Sequence, residues 1–346
     1  MKHSRTWRGL AIAVAAVMAF GIAPLAASAD SERPEPGTAA LEAPASAAHD
    51  QFASTDAGQD FSALATATTP DAVWDFFRVM NSRRIDQGGS PWVLNPTLTT
   101  VSNTWLAQKT TLLPTNDPNV VGKIPGSFTM AWHNTGWAIA TSAAEAVREL
   151  TPSLMASDLL WAPTTDIGIG MTEEPYAGAY KLYSFSVVAV DYAHTSAQAG
   201  EMTLFRFYQP ATGTHFYSTS VAERNSVATS AAYRYEGQIA YVLTPNVTTS
   251  GTANLNRFYQ PGSGTHFYTS SPAEYNQVRT YPQYSLDGVA GKVYARQVSG
   301  VTPMYRFFRP ASGTHFYTAN ASEVETVKNI PGYTYEGVAF FLRRAS

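Results

Sequence analysis

The chain has 346 residues, 45% of them hydrophobic and 14% charged, with 23 Lys+Arg against 26 Asp+Glu for a net charge of −3. That length suffices for two ordinary domains, and the acidic balance excludes the basic surface that nucleic acid requires. There is no cysteine, so disulfides, thiol nucleophiles and cysteine-linked lipids are excluded; stability must come from packing, for which 19 Tyr, 17 Phe and 7 Trp provide the material.

Residues 1–29 read as a secretory signal. Lys2, Arg5 and Arg8 form a basic start, Leu10–Ala27 an apolar run broken at Pro24, and Ala27-Ser28-Ala29 a small-residue cleavage site. Removal of this segment leaves 20 basic against 26 acidic residues, a net charge of −6, and no other stretch apolar enough to span a bilayer. The expectation is a secreted, extracellular protein that does not stay in the membrane. Residues 30–68, rich in Ala, Pro, Ser and Thr, read as a disordered spacer.

Residues 69–196 have a different texture. "TPDAVWDFFRVMNSRRI" begins with a helix-start signal at Thr69-Pro70 and repeats apolar residues at Val73, Phe76, Phe77 and Met80. "NPTLTTVSNTWLAQKTTLL" and "TSAAEAVRELTP" read as two further helices, and "TDIGIGM" and "YKLYSFSVVAVDY" as paired strands joined through "EEPYAGA". The predicted fold class is α+β, with an α/β sandwich here.

These segments resemble the CAP superfamily of cysteine-rich secretory, antigen 5 and pathogenesis-related proteins. The resemblance rests on Asn81 and Arg84 as an N-x-x-R step, "GGSPWVLNPTLTTV", "SDLLWAPTTDIGIGM" and the terminal strand "YSFSVVAVDY". It implies a cleft that, in many members, holds a metal between two His and two Glu. Here Asn116, Trp137 and Met155 stand where the resemblance places both histidines and one of the glutamates, so no metal or other cofactor is expected. Glu145 and Glu149, one turn apart, read as a solvated helix face. His133 is a leftover candidate ligand, whereas His49 and His194 have no evident partners.

Residues 200–346 repeat. "ATGTHFYST", "GSGTHFYTS" and "ASGTHFYT" place His215, His266 and His315 at intervals of 51 and 49 residues. Each is preceded by nine residues by Arg206, Arg257 or Arg306, and followed by eight by Glu223, Glu274 or Glu323 and by 22 by Gly237, Gly288 or Gly337. A fixed period near 50 means three copies of one unit, spanning about 203–247, 254–298 and 303–346. Within each, an aromatic strand ("RFYQ", "RFYQ", "RFFR") ends at a proline, a glycine turn follows, and the "THFY" strand returns with His and Tyr on one face and Phe on the other. Ser220, Ser271 and Asn320, each with Glu three residues on, announce a helix through a capping box. A last strand carries an acidic-Gly step. A single strand-strand-helix-strand unit cannot bury both its faces, so three are expected to close about a pseudo-threefold axis around one aromatic core.

This region resembles a secreted bacterial repeat family of unknown function with a GxHFYT core, whose members often stand as C-terminal appendages of extracellular enzymes and cell-wall proteins.

Two roles are open for the repeated residues. In one, His pins its hairpin through a backbone hydrogen bond and the aromatics fill the core. In the other, Arg206, His215 and Tyr217, Arg257, His266 and Tyr268, and Arg306, His315 and Tyr317 make three shallow sites that bind a glycan or cell-wall polymer multivalently. A metal site would need all three histidines to meet at the axis. No G-x-S-x-G, H-E-x-x-H or phosphate-binding glycine loop occurs. The leading expectation is a non-catalytic protein binding cell-surface or environmental polysaccharide. The alternatives are a hydrolase with a cleft of His133, Glu145, Glu149 and Asp158, or a purely structural spacer.

Overall fold

The computed structural model describes residues 71–114, 117–155, 160, 162–192 and 195–345. The expected signal and spacer lie outside these residues, as do Asn116, Asp158, His49, His194 and the side chain of Met155. The described chain is α+β: six α-helices and thirteen strands, arranged in two sheets.

The N-terminal part has a four-stranded sheet of order β1-β3-β4-β2, made of β1 (Val93–Leu94), β2 (Phe128–Ala140), β3 (Asp166–Ala177) and β4 (Tyr180–Tyr192). β1 runs parallel to β3, and the other pairs are antiparallel. Helices α1 (Asp71–Asp86) and α3 (Ala143–Met155) cover one face, where Phe76, Met80 and Leu150 meet Ile167, Ile169 and Phe185. Helix α2 (Pro96–Gln108) covers the other with Leu98, Trp105 and Leu106 against Val188 and Val190.

The alternation in "DIGIG" follows from this layering. Ile167 and Ile169 enter the α1/α3 core, and Gly168 and Gly170 face α2. A Cβ on Gly168 would lie 2.1 Å from the Leu98 carbonyl carbon, so the helix can approach this closely only over glycine. α2 starts at Asn95, whose side chain accepts hydrogen bonds from the Thr97 and Leu98 amides. It stops at Gln108, five residues before the end of the predicted segment, because Thr110 and Thr111 are poor helix formers and Pro114 disfavours helical geometry at Leu113. The β3–β4 reversal is tighter than predicted: Ala177 pairs with Tyr180 around a two-residue turn at Gly178, and "EEPYA" belongs to the strand.

Asn81 and Arg84 tie α1 to the sheet. Asn81 exchanges two backbone hydrogen bonds with Trp92, at 2.8 and 3.1 Å. Buried Arg84 donates to the carbonyls of Leu160, Ala162 and Thr164 at 2.8–3.0 Å and lies 4.2 Å over the Trp92 ring.

The C-terminal part repeats one order of elements three times. Unit 1 holds β5 (Glu201–Gln209), β6 (Thr214–Ser218), α4 (Val221–Ala228) and β7 (Arg234–Leu243). Unit 2 holds β8 (Thr252–Gln260), β9 (Thr265–Thr269), α5 (Pro272–Val278) and β10 (Ser285–Tyr294). Unit 3 holds β11 (Thr302–Arg309), β12 (Thr314–Thr318), α6 (Ala321–Lys328) and β13 (Thr334–Arg344). In each, the first strand pairs with both others, and the distal ends of β7, β10 and β13 pair with one another. Leu204, Leu255, Met304, Val242, Val293 and Leu342 fill the shared interior. A smaller cluster lies under each helix, around Phe207 and Phe216, Phe258 and Phe267, or Phe307 and Phe316.

The acidic-Gly step is a β-bulge. Arg206 pairs with Gly237 and Phe207 with Tyr235, so Glu236 is the extra residue. Asp287 and Glu336 occupy the same position in the other units, and the following glycines take φ of 94°, 116° and 94°. The bulge directs each carboxylate at the arginine of its own unit.

Candidate functional site

The nine residues picked from the repeats form the junction between units. Tyr217, Tyr268 and Tyr317 meet with ring centroids 5.5–5.8 Å apart, edge to face. The Tyr217 hydroxyl donates to the Tyr317 carbonyl at 2.8 Å, the Tyr317 hydroxyl to the Tyr268 carbonyl at 2.9 Å, and the Tyr268 hydroxyl to the Tyr217 carbonyl.

The arginines make a second cycle. Arg206 donates to both oxygens of Glu323 at 2.9 Å, Arg257 to Glu223 at 2.8 and 3.0 Å, and Arg306 to Glu274 at 3.0 and 2.7 Å. Every arginine therefore grips the helix-start glutamate of another unit. Its Nε lies 2.6 Å from the bulge carboxylate of its own unit: Glu236, Asp287 or Glu336. Burial alone would lower the Arg206 guanidinium, but Glu236 and Glu323 more than offset this and hold it well above its ordinary value.

The histidines complete the pattern. Their Nε2 atoms lie 3.3–3.6 Å from the same bulge carboxylates, and their rings pack on Phe316, Phe216 and Phe267 of other units at 4.7–5.2 Å. They do not pin hairpins through backbone groups, and it is the tyrosines that meet centrally. Burial, reinforced by the neighbouring arginine, lowers His266 and His315 to about 4 and His215 well below its ordinary value.

The expectation of three shallow surface sites therefore needs correcting. Arg206, Tyr217, Tyr268 and Tyr317 are 2–3% exposed. Their polar atoms are occupied by partners within the chain, and Arg257, Arg306 and the three histidines are engaged in the same junction. Glu223, Glu274 and Glu323, read as helix caps, serve both roles: Ser218, Thr269 or Thr318 relays the cap between the N-cap amide and the carboxylate.

In the N-terminal part, the described members of the alternative hydrolase set, His133, Glu145 and Glu149, do not converge. His133 lies on the α2 face of the sheet, 4.8 Å from the Trp105 ring, with Nδ1 against Asp117 and Nε2 3.1 Å from the Ser186 hydroxyl. Burial lowers it to about 4. α3, which carries Glu145 and Glu149, packs on the opposite face. Glu145 accepts from the Thr141 amide at 2.9 Å and from its hydroxyl, closing the start of its own helix. Among the described residues no group of three His, Asp or Glu is placed to hold a metal ion.

The candidate functional surface is the outer edge of the third strand of each unit. Residues 285–289 and 334–338 pair with β8 and β11 on one side and, among the described residues, have no strand on the other. Leu286 and Val289 in unit 2, and Tyr335 and Val338 in unit 3, are exposed there, beside Asp287 and Glu336, whose side chains are 34% and 28% accessible. In unit 1 the N-terminal part covers this edge. Val93 packs beside Tyr235, the Arg234 guanidinium lies 4.5 Å over the Trp74 ring, and Tyr235 falls to 6% exposure against 41% for Tyr335. A Cβ on Gly237 would meet Val93 at 3.0 Å, whereas Gly288 and Gly337 have nothing within 4 Å. Equivalence of the three edges was visible in the sequence only as the common acidic-Gly step; which edge is covered was not.

A family model described as a domain of unknown function (DUF5648) matches residues 191–343, taking in all three units. No curated protein matches the chain.

Proposed function

We propose that this is an exported, non-catalytic binding protein. A CAP-like α/β sandwich caps one edge of a pseudo-threefold module, and the two uncapped edges bind cell-wall or environmental polysaccharide. The carrying observation is the contrast between the edges: chemically similar strands are closed at Tyr235 and open at Leu286 and Tyr335. An exposed ring or apolar side chain beside a carboxylate and an unpaired strand edge suits a sugar, whose CH face packs on apolar groups while its hydroxyls donate to carboxylate and carbonyl oxygens. Two such edges on one body gain affinity for a repeating polymer by multivalency. The non-catalytic reading is supported by His133 and Glu145, each engaged in a local structural contact.

Co-sedimentation of the secreted chain with insoluble wall and plant polysaccharides tests this. Binding to at least one is expected, lowered about tenfold or more when Leu286→Ala and Tyr335→Ala are combined. Failure to bind any polymer, or undiminished binding by the double variant, rejects the reading.

A further inference from the structure

A half-open cavity of about 150 Å³ lies between the N-terminal sheet and unit 1. Ser90, Thr165 and Asp166 line it from one side, and Phe205, Arg224, Tyr235 and Gln238 from the other. Two buried charges of opposite sign thus border one small space.

Arg224, on α4, is 9% exposed. Its guanidinium donates to Asn225 Oδ1 at 2.8 and 3.0 Å and to the Ser90 hydroxyl at 3.3 Å, and stacks 4.9 Å from the Phe205 ring. These oxygens are neutral, whereas Arg206, Arg257, Arg306 and Arg343 all pair with carboxylates. A buried guanidinium held only by neutral groups is strongly attracted to an incoming anion. Asp166, at the start of β3, is 1% exposed; Asn95 donates to one carboxylate oxygen at 3.0 Å and Thr165 to the other at 2.8 Å. A carboxylate offers about four acceptor positions over its two oxygens, so these donors do not define its full capacity. Different elements hold the two groups in place, so neither has to be rebuilt when a ligand enters. A simple anion would meet Arg224 but be repelled by Asp166, and a simple cation the reverse.

We propose that this cavity binds a small zwitterion of the size of a free α-amino acid, with its carboxylate on Arg224 and its ammonium group on Asp166. Phe205 and Tyr235 pack against its carbon atoms. The volume admits a compact molecule and not a polymer chain, so this site is separate from the polysaccharide edges and its fate is independent of theirs.

Isothermal titration of the secreted chain with glycine, L-alanine, D-alanine and L-serine, using acetate and methylammonium as singly charged controls, tests the proposal. At least one amino acid gives saturable binding at millimolar concentration or below, at least about tenfold tighter than either control. Arg224→Gln weakens it about tenfold or more, and Gln238→Trp, which fills the cavity without touching either charge, abolishes it. Circular dichroism and unchanged cooperative urea unfolding show that the variants fold. Absence of saturable binding by all four amino acids, acetate binding as tightly as they do, or unchanged binding in Gln238→Trp overturns the proposal.

Discussion

Arg206 and Glu323, 117 residues apart in the chain, form a two-pronged ion pair with both side chains 3% exposed. The equivalent pairs Arg257–Glu223 and Arg306–Glu274 have the same geometry, but their carboxylates are about one third accessible. Removing one partner of a buried pair strands the other charge, at about 3–5 kcal/mol. Solvent softens the same loss at the more exposed pairs by at least about 1 kcal/mol. Urea unfolding of Arg206→Gln and Arg306→Gln should therefore rank the first as the more damaging, although the two arginines occupy matching positions in the repeat.

The tyrosine cycle predicts a large effect for a single oxygen. The Tyr317 hydroxyl donates to the Tyr268 carbonyl and accepts from the Tyr268 amide, both at 2.9 Å and both buried. Tyr317→Phe leaves two buried backbone groups unpaired, at about 1–3 kcal/mol each. Thermal denaturation should show a loss of several degrees, whereas Tyr176→Phe, on the exposed end of β3, should be silent.

Stability should fall on mild acidification. His133, His266 and His315 take up a proton at about 4 in the folded chain, against 6.5 for an unperturbed histidine, and His215 lies lower still. The unfolded state therefore binds more protons across this interval, and stability rises with pH through it. The contribution is complete above about 6.5 and is lost progressively as pH falls towards about 4. Below that, Glu223 and Glu274, held under the usual carboxylate value by Arg257 and Arg306 against the effect of burial, add to the loss. Urea midpoints measured from neutral pH downwards check this; a flat profile between pH 6.5 and pH 4 would contradict the buried neutral histidines.

Two glycines should fail for different reasons. Gly168→Ala drives a methyl group into the backbone of α2 at Leu98, a rigid neighbour, and should cost about 3 kcal/mol. Gly337→Ala meets nothing within 4 Å but must hold a φ of +94°, at about 1 kcal/mol or slightly more. Chemical denaturation of both variants should show the larger loss at Gly168.

Local signals in the sequence were informative where one unit suffices. The serines and asparagine at the helix starts, with glutamate three residues on, located α4–α6, and the Pro and Gly turns located their hairpins. Cross-unit relations were not readable. Three copies with identical spacing do not reveal whether Arg206 meets Glu223 of its own unit or Glu323 of another. Arg is mostly exposed in folded chains, and His and Tyr occur at every depth, so the sequence leaves the repeated set open between a core role and a binding face; closing the units on one another is what buries it. β2 carries no alternating signal because both of its faces are about equally half-buried. Trp132 packs towards α3 and His133 towards α2, which erases the alternation of polar and apolar residues that marks a half-buried strand.

The proposed binding at two open edges, with the third covered, can be located residue by residue. Amide chemical-shift mapping of the chain, titrated with soluble oligosaccharides released from the polymer found to co-sediment with it, should perturb residues 285–289 and 334–338 and leave 234–238 unmoved. Perturbation centred on 234–238, or on the buried THFY strands, would contradict the account.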